Sequence, residues 1–220
     1  MSEILSIFPA AIPVYSVVRQ GSRKEKETQE IESIISEGMI ENTWQSKPSP
    51  FNGNSSSVNK NILDSYFPEL RLFCEGHIRK YVEGVICPLN KSLEFYITQS
   101  WLNVNKQNTA HEVHVHRNSL ISGVYYFTDN NIIRFHNPFS QSQQVIHIDP
   151  DPIALNMWNS FMRNSIAMSS KKGSLILFPS WLQHEVPINT SSSDRISISF
   201  NVFVRGDLGN KETANYLELK

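Results

Sequence analysis

The second half of the chain limits its fold most. From Glu94 onward the sequence is a succession of short runs rich in Val, Ile, Phe and Tyr: "EFYITQSWLNVN", "EVHVH", "LISGVYYF", "IIRFH", "GSLILF" and "RISISFNVFV". Turn formers such as "DNN", "KKG" and "NTSSSD" stand between them. β-Branched and aromatic side chains suit a pleated, half-buried surface, so these runs read as strands. The first part of the chain has another period. Ile31, Ile34, Ile35 and Met39 fall on one face of a helix expected over 22–40. A second helix is expected from Pro68, a residue suited to a first turn, with Leu70, Phe73, His77, Tyr81 and Val85 as its stripe. "FPAAIPVYSVV" (8–18) reads as an entry strand, 46–60 as a loop, and 137–165 as a long loop or an insertion with its own helix. Helices first and strands second predict an α+β chain, a β-sandwich or barrel with the helices on one face.

Composition removes several function classes. At 220 residues and 40% hydrophobic content the chain is long enough for one domain with a sizeable core. The expected division is an N-terminal strand with supporting helices over 1–93, a strand core over 94–205 and a tail over 206–220. A formal net charge of −1 without a basic block indicates no electrostatic grip on nucleic acid. Cys74 and Cys87 are the only cysteines and make neither a zinc knuckle nor a disulfide framework, which fits a reducing compartment. Glu3, Pro9 and Pro13 break the N-terminus as a signal peptide, and no apolar run reaches the length of a membrane span. A cytoplasmic protein without a membrane partner is expected.

Strand phase then picks out candidate site residues, because alternate residues of a strand share a face. In "RISISFNVFV", Arg195, Ser197, Ser199 and Asn201 lie on one side and Ile196, Ile198, Phe200 and Val202 on the other. The apolar side needs a cover, which the helices supply. The polar side then faces the interior and suggests a site for a polar ligand; a solvated edge strand is the other reading. In "HEVHVH", His114 and His116 project from one face about 7 Å apart along the strand, with Glu112 one step back on that face. His111 shares the opposite phase with Val113 and Val115, which look like packing residues. Two such histidines suit a metal, and they also suit an exposed strand or a hydrogen-bonded core. His184, after "LFPSWLQ", is the candidate third ligand, against an ordinary loop histidine. Arg195, with Ser197 two residues on, suits a carboxylate ligand, against a structural ion pair.

The order H-x-H, "SGVYY", "GSLILFPSWLQH" and "RISISFN" resembles the iron(II)- and 2-oxoglutarate-dependent oxygenase superfamily. More narrowly it is similar to a group of putative 2-oxoglutarate–iron oxygenases common in bacteria and phages, over roughly residues 97–205. The resemblance implies a double-stranded β-helix, or jelly roll, in an α+β chain. It implies Fe(II) on His114, His116 and His184, with the far carboxylate of 2-oxoglutarate on Arg195 and Ser197. Asn103, Asn105, Tyr125 and Tyr126 are on strands expected to line the pocket, Asn103 and Tyr125 foremost as co-substrate contacts. Trp101 and Trp181 are expected in the core. No catalytic side chain beyond the metal ligands is expected. The implied activity is hydroxylation of a small-molecule or peptide substrate with release of succinate and CO2. One departure stands out: the superfamily's carboxylate ligand is here His116. Glu112 with His114 and His184 is a rival ligand set. A cupin is a rival protein, since "PSWLQH" resembles the second cupin motif with Trp181 in place of glycine, though the glutamate of the first motif is missing over Asn118, Ser119, Leu120 and Ile121. A jelly roll that binds without catalysis is the third reading.

Overall fold

The alternation of the strand runs becomes two facing sheets in the computed structural model, which describes residues 13–20, 24–36, 40–42, 55–88, 92–138 and 164–220. The strands are β1 (Tyr15–Val18), β2 (Ile40–Asn42), β3 (Ser55–Ser57), β4 (Glu94–Asn105), β5 (His111–His114), β6 (Ile121–Tyr126), β7 (Asn131–His136), β8 (Ser165–Ser170), β9 (Ser174–Pro179), β10 (His184–Val186), β11 (Arg195–Leu208) and β12 (Leu217–Leu219). The larger sheet runs β1-β9-β6-β11-β4-β3-β2, with β12 added on β11. The smaller runs β5-β10-β7-β8, and all pairings between strands are antiparallel. Each run read as a strand from Glu94 onward forms one. The expected α+β jelly roll with helices on one face is the observed architecture.

Alternation along β11 divides the interior into two cores. Ile198, Phe200 and Val202 are fully buried against α1 (Lys24–Ser36), α2 (Ile62–Tyr66) and α3 (Pro68–Tyr81), through Ile31, Ile34, Leu63, Leu70, Cys74 and Ile78. Each such aliphatic or phenyl side chain contributes about 1.5–3 kcal/mol by leaving water. A second cluster lies between the sheets, with Val124, Tyr126, Ile176 and Phe178 facing Ile133 and Phe135. Gly123 is needed where it stands, because a Cβ there would enter the Phe200 ring across the strand pair. Asn108, Asn118 and Asn130 take the left-handed conformation, a state that asparagine tolerates and most residues do not.

The helical half follows the sequence less closely. Of the expected stripe in α1, Ile31 and Ile34 are buried, Ile35 is exposed, and Met39 lies outside the described residues. Pro68 does open α3, but the buried line is Leu70, Cys74, Ile78 and Tyr81. Val85 is exposed, because the chain passes into one π-helical turn (Val82–Ile86) that rotates the stripe. Ser55–Ser57, read within a loop, is a strand, and its Ser57 hydroxyl accepts the Leu102 N–H. Residues 46–54 and 139–163 of the two expected loops lie outside the described residues. Among the described residues no helix is long and apolar enough to cross a membrane.

Candidate active site

The polar face of β11 lines a cavity between the sheets. Arg195, Ser197 and Ser199 reach it from β11; Trp101, Asn103 and Asn105 reach it from β4, on alternate residues. His111, His114, His116 and His184 close the other side.

A bulge sets the histidines. His184 pairs with His114 and Val186 with His111, so two steps along β10 span three along β5. The extra residue resets the strand phase. Glu112 and Val113 both turn outward to solvent, and His111 and His114 both turn into the cavity. Two expectations are thereby corrected. His111 does not point away, and Val113 is not a packing residue, being 46% exposed. The Glu112 carboxylate faces solvent, and the three residues that come together are His114, His116 and His184, whose ligand atoms lie within 4.8 Å of one another.

The three rings share one arrangement. Nδ1 of His114 faces the main-chain oxygen of Glu112 at 2.7 Å, and Nδ1 of His184 faces that of Leu182 at 2.9 Å. Nδ1 of His116 faces Oδ1 of Asn201 at 2.6 Å. A carbonyl oxygen only accepts, so each Nδ1 carries the proton and each Nε2 keeps its lone pair. Burial lowers the pKa of all three, that of His184 to about 3. All three are therefore neutral at neutral pH, the state in which imidazole binds a metal.

Arg195 is 5% exposed. Its Nη1 donates to the Pro187 oxygen at 3.0 Å, while its Nε is buried without a partner. Among the described residues, none lining the cavity is acidic. Two more buried nitrogens in the same lining, Nδ2 of Asn105 and Nε2 of His111, also lack partners. A buried guanidinium without a carboxylate is costly unless an anion joins it, and the unpaired Asn105 amide in the same lining adds to that demand.

The structure corrects three other expectations. Tyr125 does not reach the cavity; it packs on Phe73 and Phe127 in the helical core, and its neighbour Tyr126 takes the cavity face. Trp101 lines the cavity, 5.7 Å from the His116 ring, and Trp181 is 56% exposed, so neither is a core residue. Asn103 is in place, with its amide on the Ser199 hydroxyl. Asn201 was read only as part of a polar face. Its contact with His116 was hidden because it joins residues 85 positions apart.

Residues 99–201 match the family model described as putative 2OG-Fe(II) oxygenase. No curated protein matches the chain. Among solved structures it is similar to the non-heme α-ketoglutarate-dependent carbocyclase SnoK from nogalamycin biosynthesis, at 15% identity and TM-score 0.62, over 89% of this chain and 81% of that one. It is also similar to a prolyl-4-hydroxylase from Pseudomonas putida, at 13% identity and TM-score 0.56, over 87% of this chain and 94% of that one. HygX from Streptomyces hygroscopicus, solved with nickel, 2-oxoglutarate and hygromycin B bound, has 10% identity and TM-score 0.56, over 87% of this chain and 82% of that one. The family that the sequence resembles is the one whose model matches residues 99–201, and the double-stranded β-helix expected from the sequence is the fold shared with these structures.

Proposed function

We propose, for a chain whose strand core is that of the 2OG-Fe(II) oxygenase family, an Fe(II)- and 2-oxoglutarate-dependent dioxygenase that hydroxylates a small-molecule or peptide substrate. The observation that carries this reading is the pairing of two demands in one cavity. Three neutral imidazoles share a space with free Nε2 lone pairs, and a buried arginine across it has no carboxylate. A divalent ion with a dicarboxylate beside it answers both. Imidazole donors with positions left open suit non-heme Fe(II).

His114, His116 and His184 would hold the metal. Arg195 and Ser197 would hold the far carboxylate of 2-oxoglutarate, with the Asn105 amide as a further donor in the same lining. When bound, iron supplies the oxidation, in which 2-oxoglutarate and O2 yield succinate, CO2 and a hydroxylated C–H bond of the substrate. The protein's own work is orientation. The carbonyl oxygens of Glu112 and Leu182 fix the ring rotations of two histidines. Phe178, 4.7 Å from the His184 ring and buried, keeps water from the back of the donor set. Trp101 and Ile133 give the cavity an apolar flank for a substrate. Both cysteines are free thiols, which supports a cytoplasmic location.

The test has two arms. Full-length protein loaded anaerobically with Fe(II) retains stoichiometric iron, and His184→Ala loses it. Given 2-oxoglutarate and O2, the loaded protein forms succinate without added substrate. Iron retained equally by His184→Ala overturns the metal assignment, and a complete lack of succinate overturns the oxygenase reading.

A further inference from the structure

The histidine that stands in place of a carboxylate is the one whose ring partner is a side chain. His114 and His184 rest on main-chain oxygens within two residues of themselves. His116 lies beyond the end of β5, and its partner Asn201 comes from β11. The position of Asn201 is itself built. The register of β11 on β4 shifts between Asn201 and Val202, which leaves Thr98 as the extra residue of a bulge. The Thr98 hydroxyl donates to the Asn201 main-chain oxygen at 3.3 Å and occupies the acceptor that the bulge frees. Ser122, directly opposite Asn201 on β6, approaches its Oδ1 at 3.4 Å. Ser122 and Ser180 are fully buried with hydroxyls 2.8 Å apart, and Ser180 reaches Ser119 at 2.7 Å. The Ser180 main-chain oxygen also accepts the His116 N–H at 3.0 Å. One buried polar cluster thus grips His116 at both its backbone and its ring. Buried hydroxyls and amides give little net stability over well-packed apolar groups, but they fix geometry closely.

We infer that Asn201 is a positioning residue for the metal site: its amide oxygen holds His116 in the tautomer and rotation that turn Nε2 toward His114 and His184. The inference rests on the proposed metal site and adds a residue to it. An aspartate ligand needs no tautomer to be chosen, whereas a histidine does, and a carbonyl-type acceptor on Nδ1 is what makes the choice. An uncharged acceptor also leaves the donor set neutral. Such partners of metal-bound histidines typically change metal affinity by about 10–100-fold.

The experiment is titration of the full-length metal-free protein with Co(II), followed by proton NMR of the complex. Ring N–H protons of Co(II)-bound histidines are shifted far outside the ordinary spectrum and exchange slowly when hydrogen-bonded. Wild type is expected to show three such exchangeable signals, one for each liganding histidine. Asn201→Leu should bind Co(II) about 10–100-fold more weakly and lose or broaden one signal by exchange. Asn201→Asp, which keeps an acceptor of the same size, should restore the signal and bind at least as tightly as wild type. A purely structural role predicts no rescue specific to an acceptor and no selective loss of one ring proton. Failure of wild type to bind Co(II) overturns the metal reading and this inference with it. Tight wild-type binding with an unchanged affinity and three signals in Asn201→Leu overturns this inference alone.

Discussion

Replacing Arg195 by methionine tests the co-substrate half of the site. The substitution keeps an unbranched stem in the cavity wall and removes the guanidinium. Arg195 is 5% exposed and its Nε is unpartnered, so a carboxylate bound there makes a charge-assisted pair in a largely dry setting. Losing one side of a buried, hydrogen-bonded charge pair costs about 2–5 kcal/mol. Taking about 3 kcal/mol, the dissociation constant of 2-oxoglutarate should rise about 100-fold. The assay is isothermal titration of Mn(II)-loaded protein with 2-oxoglutarate and, in parallel, with 2-oxobutanoate. The second ligand has the same oxo-acid end and lacks the far carboxylate. Its affinity, weaker in wild type from the start, should be nearly the same in wild type and Arg195→Met. Collapse of the cavity would weaken both ligands together, so the comparison separates a lost contact from a lost fold. An unchanged 2-oxoglutarate affinity, or an equal fall for both ligands, would refute the assignment of Arg195.

Other outcomes follow from the same geometry. Glu112→Gln should leave Co(II) affinity unchanged in an equilibrium titration, because the side chain is exposed and only the main-chain oxygen orients His114; a large loss would return Glu112 to the ligand set. Gly123→Ala should lower stability to chemical denaturation by about 1–3 kcal/mol through overlap with Phe200, and Gly123→Ala with Phe200→Leu should recover part of it. In the metal-free protein, His111 and His184 are held near 3 by burial, below the ordinary value of 6.5. The unfolded chain therefore binds more protons than the folded one below pH 6.5, so stability is complete above that pH and falls as pH drops toward 3. Each of the two should cost about 1.4 kcal/mol per pH unit in that window, visible as a falling Tm; a Tm flat over the same range would show that these rings are not buried neutral.

Much of the strand-rich half was legible because its signals are local. A period of two marks the strands, and the apolar face of "RISISFNVFV" calls for a cover of helices, while its polar face suits either a lined site or a solvated edge. His114, His116, Arg195 and Ser197 stand out by strand spacing, His184 follows a strand run, and Asn103 lies within one. The errors came where a strand is not regular. The bulge between β5 and β10 adds one residue, and that single step reversed the faces of His111 and Glu112. Tyr125 was misplaced for a related reason, since "SGVYYF" is buried on both faces and offers no alternation to set its phase. The expected Val85 stripe failed at a π-helical turn, which changes the helix period without a mark in the sequence.

The sequence by itself determined what could be built: a β-sandwich or barrel under helices, a long strand with one polar face, and donor types that suit a metal and an anion. It did so through side-chain alternation, which depends only on neighbours in the chain. The tertiary structure decided which donors meet. The meeting of His114 and His116 with His184, the absence of any carboxylate in the described lining around Arg195, and the contact of Asn201 with His116 all join residues tens of positions apart. Pairing register and bulges set those distances, and they are fixed by the packing of whole sheets rather than by any short stretch.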